Sequence, residues 1–152
     1  MDAENDVIEL MRAMPVFAEM HSSVLGELAA IAKVVTVPAG TLIFGEGDHH
    51  PDLYFVSSGT ITLEMVTAQC GKQQILTVGD GDLIAWSALL GDSRMTASAV
   101  ASEETLLIAF PADQLLALCE SNRDLGYQVM LCVAKLISRR LLATRLQLLD
   151  VF

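Results

Sequence analysis

Between residues 33 and 110 the chain breaks into short apolar or alternating runs, and each run ends at a glycine turn. Val34–Val37 leads into Pro38-Ala39-Gly40, and Thr41–Phe44 into Gly45-Glu46-Gly47-Asp48. Leu53–Val56 ends at Ser57-Ser58-Gly59, Thr60–Val66 at Gly71-Lys72, and Gln74–Val78 at Gly79-Asp80-Gly81-Asp82. From Gly47 the turns recur about every 10–12 residues, the spacing of a small antiparallel sandwich or barrel. β-Branched residues concentrate in the same stretch, as a pleated, half-buried surface prefers.

The flanks read differently. Residues 4–32 are helical in pattern: Val7, Leu10, Met11 and Met14 recur at helical spacing before Pro15. Ser22 is placed to cap a second helix carrying Val24, Leu25, Leu28 and Ile31. Within the barrel the regularity breaks at residues 84–90, Ile-Ala-Trp-Ser-Ala-Leu-Leu, which suits one helical turn inserted between strands. Thr96–Ala101 and Thr105–Phe110 supply two further strands, and Pro111-Ala112-Asp113 opens a short helix with Leu115, Leu116 and Leu118. From Asp124 to Leu149 only Gly126 interrupts, which predicts a helix of about 24 residues. The expectation is one domain over residues 1–152, with C-terminal helices at 112–150 and no DNA-binding domain.

The last helix is apolar on two sides. Met130, Val133, Ile137, Leu141, Thr144, Leu148 and Val151 form one seam at steps of three and four; Leu125, Val129, Cys132, Leu136, Ala143 and Leu146 form another. One seam covers the barrel. The second fits either a two-stranded helical homodimer or burial between barrel and N-terminal helices. A mean hydropathy of +0.49 favours the dimer, because large apolar surfaces on soluble chains mark interfaces.

Charge narrows the partners. The 152 residues carry 9 Lys plus Arg against 19 Asp plus Glu, a net −10, which opposes general attraction to nucleic acid phosphates. Lys135, Arg139, Arg140 and Arg145 nevertheless gather in the last helix. Bases on a helix with two apolar faces serve to solvate its remaining strip or complement its C-terminal end; without a helix-turn-helix, direct base reading is not expected. Residues 34–45 are uncharged but contain Pro38 and Gly40 and fall short of the roughly 20 residues a membrane-spanning helix needs. The acidic N-terminus lacks a secretory pattern, and Cys70, Cys119 and Cys132 are too scattered for a disulfide framework or an iron–sulfur site. A cytoplasmic location with free thiols is expected.

Several of these segments carry a resemblance. Residues 38–48, Pro-Ala-Gly-Thr-Leu-Ile-Phe-Gly-Glu-Gly-Asp, resemble the first barrel motif of cyclic nucleotide-binding domains. Leu53–Gly59 is similar to that family's next strand and turn, and Gly81-Asp82-Leu83-Ile84 to the entry of its phosphate-binding cassette. The likeness covers roughly residues 15–150 and points to the sensor half of catabolite-activator, or Crp-Fnr-type, regulators. It implies a mainly β fold with flanking α: a double-stranded β-helix (jelly-roll) barrel with N-terminal helices and a long C-terminal helix. It also implies a small anionic ligand of the cyclic nucleotide class, cyclic AMP or cyclic GMP, held by altered contacts at Ala85, Trp86, Ser87, Ala88, Leu89, Arg94, Met95, Thr96 and Thr144.

The altered contacts follow from the residue types. A buried cyclic phosphate needs amide donors and a guanidinium, and the ribose hydroxyl needs a carboxylate, since a polar group left without a partner costs about 1–3 kcal/mol. Ala85-Trp86 stands where the family has Gly-Glu. Trp86 stacks on a flat ligand, plugs the pocket or packs as one wall of an empty cavity; all three readings stay open. Aligning Ala97, Ala99 and Ala101 with the family's pattern puts Met95 in the arginine slot and Thr96 in the following Ser/Thr slot, leaving Arg94 one residue early. A shift of one residue in a strand turns a side chain to the other face, unless a bulge at Gly91-Asp92-Ser93 re-aims it. Thr144 matches a base-contacting threonine of the family and also lies on the proposed dimer seam.

Other constellations are weaker. His49 and His50 beside Asp48 and Asp52 lack a third ligand at useful spacing and read as solvated turn residues. Asp80-Gly81-Asp82 lacks the distal glutamate of a calcium loop. No nucleophile–base pairing, GxSxG or P-loop occurs, so catalysis is not expected. Two function classes remain: a module that senses a small anion and signals through the long helix, or a degenerate domain that binds no nucleotide and acts by dimerisation or partner binding. A sensor half of a transcription regulator is the third option.

Overall fold

A computed structural model describes residues 3–150. Three helices lead in, α1 (Ala3–Arg12), α2 (Pro15–Ala18) and α3 (Ser22–Ile31). The strands are β1 (Lys33–Val37), β2 (Leu42–Phe44), β3 (Asp52–Ser58), β4 (Ile61–Thr67), β5 (Gly71–Val78), β6 (Leu83–Ile84), β7 (Ser98–Ala101) and β8 (Thr105–Pro111). Helix α4 (Ser87–Leu90) is inserted between β6 and β7; α5 (Ala112–Ser121) and α6 (Arg123–Asp150) follow the barrel. Two four-stranded antiparallel sheets, in the orders β1-β8-β3-β6 and β2-β7-β4-β5, close the jelly roll expected from the glycine-punctuated runs.

The two sheets are covered unequally. β3 and β8 are buried along most of their length, and their register sets Leu53 opposite Phe110 and Phe55 opposite Ile108. Alternation along a strand puts these four on one face. That face receives the helices: Phe17 of α2 meets Phe55 edge-on at 4.9 Å, and Phe55 meets Phe110 at 5.6 Å. Aromatic pairs in this geometry add about 0.5–1.5 kcal/mol beyond the area they bury. Pro15 opens α2, where its missing N–H costs nothing. The opposite sheet meets α6 through β5, and β4 is buried at Ile61 and Leu63 but exposed at its far end.

Several local expectations are corrected. Ser22 does not cap α3; His21 holds the cap position, and the Ser22 hydroxyl instead accepts a 3.2 Å hydrogen bond from Arg12. The β4–β5 hairpin turns at residues 68–70, so Gly71 and Lys72 belong to β5. The inserted helical turn spans Ser87–Leu90, because Ile84 still pairs with Tyr54 as a strand residue and Ala85 is left-handed at φ 63°. Thr96 and Ala97 precede β7 and do not open it. His50 is packed, with Phe44 and Tyr54 on either side and its ring nitrogen 2.6 Å from the Tyr54 hydroxyl.

Helix α6 spans 28 residues, one further at each end than the predicted 124–149, and Asn122 precedes it: its side-chain oxygen accepts the Leu125 N–H at 3.2 Å, and its amide donates to Glu27 of α3 at 2.9 Å. Leu125, Val129, Cys132, Val133 and Leu136 are buried; Leu141, Leu142, Leu146, Leu148 and Leu149 are exposed. Neither of the two predicted seams is thus buried along its length. Both are covered in the first half and open in the second, and Val151 lies outside the described residues. Among the described residues no helix is long and apolar enough to cross a membrane.

Candidate functional site

The inserted segment is held from both ends. β6 pairs with β3 and delivers the chain to Ala85, whose left-handed backbone turns it sharply into Trp86 and α4. A residue with a Cβ pays about 1–2 kcal/mol in that conformation, which is where the family pattern carries glycine. Past α4, the N–H groups of Gly91 and Ser93 both donate to the Ser87 carbonyl at 3.1 Å. Met95 is then pinned to the Gly45–Asp48 turn by a bond from its N–H to the Asp48 carbonyl and one from the Gly47 N–H to its own carbonyl, each 2.8 Å. His49 pairs with Arg94 as an isolated bridge, and its ring nitrogen lies 3.0 Å from the Ser93 hydroxyl.

This pinning decides where Arg94 and Met95 face. Met95 is buried and lines the cavity between cassette and barrel; Arg94 is exposed and does not. The Arg94 N–H is taken by the Asp92 carboxylate at 3.0 Å, and nothing at residues 91–93 turns its side chain inward. Of the residues singled out from sequence, Ala85, Trp86, Ser87, Met95 and Thr96 line the cavity, with Phe44, Leu63, Ile84 and Ala97. Ala88, Leu89, Arg94 and Thr144 are not in its lining: Leu89 is buried in the core, and Thr144, exposed on α6, returns its hydroxyl to the Arg140 carbonyl at 2.8 Å.

The cavity itself is small, about 40 Å³. That is close to the ~30 Å³ share of one liquid water, against roughly 300–1,000 Å³ for pockets that hold drug-sized ligands. Trp86 and Arg140 stand in its lining. Arg140 was missed as a site residue. Its guanidinium reaches from α6 and donates to the Leu83 carbonyl on β6. Burial lowers its pKa and the Asp82 carboxylate acts in the opposite direction, but among the described residues Arg140 makes no ion pair. The signal that finds it is spacing: Val133, Leu136 and Arg140 step by three and four, so Arg140 continues the buried stripe of α6.

The sequence of the barrel carries the family's pattern. The cyclic nucleotide-binding domain family profile matches residues 34–122. The cyclic AMP receptor protein of Thermus thermophilus is 32% identical over 111 residues, 73% of this chain and 50% of that protein. A CRP-like cAMP-activated global transcriptional regulator of Mycobacterium tuberculosis is 23% identical over 144 residues, 94% of this chain and 62% of its own length. The chain thus spans half to three-fifths of these relatives. Among solved structures, a cyclic nucleotide-binding domain from Methylobacillus flagellatus superposes with TM-score 0.84 at 22% identity, covering 98% of this chain and 84% of that one. The Thermus thermophilus catabolite activator protein superposes at 0.71 with 28% identity, covering 90% and 62%. The profile match runs from β1 into the end of α5, the same span in which strand order and cassette position were read from the glycines, and the protein belongs to the cyclic nucleotide-binding domain family, in the form found in Crp/Fnr-type regulators.

Proposed function

We propose that this protein is a non-enzymatic regulatory module whose cassette is closed by its own side chains, and that it acts through α6 as a homodimer without binding a cyclic nucleotide. The observation that carries this reading is the cavity of about 40 Å³ with Trp86 and Arg140 in its lining. A cyclic nucleotide needs several times that space, a carboxylate for the ribose hydroxyl and a guanidinium for the phosphate. Trp86 replaces the carboxylate, and Arg94 lies outside the cavity. Arg140, tied to the Leu83 carbonyl, joins α6 to the cassette without a ligand between them. The exposed leucines at 141, 142, 146, 148 and 149 then supply an apolar surface for a second copy, as helices paired along an apolar seam do.

A second reading rests on one feature of Arg140. It is a half-buried guanidinium whose partner is a neutral carbonyl and not a carboxylate, so it is chemically suited to a small anion entering beside Trp86. In that case the module is a sensor, and the anion competes with Leu83 for Arg140. Titration calorimetry with cyclic AMP and cyclic GMP, run beside sedimentation velocity, separates the two. The closed-cassette reading expects no heat up to about 1 mM ligand, a Kd bound equivalent to roughly −4 kcal/mol, and a species of twice 16.4 kDa. Micromolar binding abolished by Arg140→Ala favours the sensor, and a 16.4 kDa species at micromolar concentration removes the dimer.

A further inference from the structure

A cavity larger than the cassette's lies away from it. A groove of about 730 Å³ runs between α2 and α6, lined by Val16 and Met20 on one side and by Leu131, Cys132, Lys135 and Arg139 on the other. Its size falls in the range of small-molecule sites, roughly 300–1,000 Å³. The α6 wall uses positions 128, 131, 132, 135, 138 and 139, which is one stripe at helical spacing. From Gln128 to Arg139 that stripe is about 17 Å long at ~1.5 Å per residue.

The stripe changes character along its length. Leu131 and Cys132 make its first part apolar, and Lys135 and Arg139, one turn apart, make its last part cationic. Both cations share this lining with Cys132, whose thiol burial pushes up to about 12 against their opposing charge. Among the described residues neither forms an ion pair, although the whole chain is at net −10. Like charges four apart on a helix repel, by about 0.2–0.5 kcal/mol. Glu19, also in the lining, leaves one cation in excess. An occupant that satisfies this wall has an extended apolar body and a single negative group at one end.

We infer that the α2–α6 groove binds an amphipathic monoanion of the medium-chain carboxylate class, its chain on Val16, Met20 and Leu131 and its carboxylate between Lys135 and Arg139. The groove and the cassette are separate sites, so this assignment stands or falls independently of the nucleotide titration. Dodecanoate, kept below its micellar range, is the probe, and dodecyltrimethylammonium carries the same chain with the opposite charge. Calorimetry on the full chain is expected to show saturable one-to-one binding of dodecanoate and none of the cation. Lys135→Glu with Arg139→Glu, and separately Leu131→Glu, are all exposed changes that leave the fold's core intact; each is expected to weaken dodecanoate by about tenfold or more. Circular dichroism confirms that the variants are folded. Equal binding of the two surfactants, undiminished binding in the charge-reversed variant, or no dodecanoate binding below about 1 mM overturns the assignment. So does an acidic helical peptide that occupies the groove when dodecanoate does not, which transfers the site to a protein partner.

Discussion

Both halves of α6 carry leucines at helical spacing, but in opposite environments. Up to Ile137 the helix is packed: Leu125, Val129, Cys132, Val133 and Leu136 are buried against α5 and the core. From Leu141 onward each leucine of the helix is about half exposed or more. Arg140 stands at the join, its guanidinium reaching back to β6. The difference teaches that hydrophobic periodicity locates the faces of a helix but not the length over which each face is covered. The covered half belongs to the folding of one chain, whereas the open half leaves its leucines exposed and is the surface the proposed homodimer uses.

That contrast is testable side chain by side chain, and the largest effect is expected in the covered half. Leu136→Ala should lower unfolding free energy by about 2–5 kcal/mol, the cost of a buried cavity. Leu142→Ala should stay within about 0.5 kcal/mol on the monomer while weakening self-association. Urea denaturation at low protein concentration, read beside sedimentation, checks both; equal losses at the two positions would erase the distinction between the halves.

Gly126 sharpens the same comparison. A Cβ there meets the Cys119 carbonyl oxygen of α5 at 2.6 Å. Alanine ordinarily favours a helix interior by about 1 kcal/mol over glycine, but here the clash is with backbone, which cannot swing aside. Gly126→Ala should therefore destabilise, by about 1–3 kcal/mol as overpacking does, and a raised melting temperature would show that the α5–α6 contact is looser than described. The smallest effect belongs to the cassette. Ala85→Gly relieves a left-handed alanine and should stabilise by about 1 kcal/mol, visible as a higher urea midpoint with unchanged slope.

Much of the fold was legible because glycine turns punctuate it. All seven predicted strands, from Val34–Val37 to Thr105–Phe110, overlap observed ones, since most runs are bounded by residues that end strands for steric reasons. The hairpin tip falls at 68–70 and not at Gly71, because Gly71, although left-handed at φ 67°, opens β5. At the site, the one-residue offset of Arg94 from the family's arginine position was visible in the sequence. Its consequence was not, because the backbone bonds of Met95 to Gly47 and Asp48 link residues far apart in the chain. Arg140 was legible in principle. It groups with the other bases of the tail by charge, but its spacing from Leu136 sets it on the packed face. Ser22 is not the cap because the helix begins at it, one residue earlier than the pattern suggests, with His21 at the cap position.

Trp86 is the chain's single tryptophan and lines the cassette cavity, so its emission reports on that cavity alone. Titrating cyclic AMP or cyclic GMP to about 1 mM while recording this fluorescence should leave its intensity and wavelength unchanged, as a cassette closed by its own side chains requires. A saturable change at micromolar nucleotide would contradict the account, because it would mean that the space beside Trp86 opens to admit the ligand.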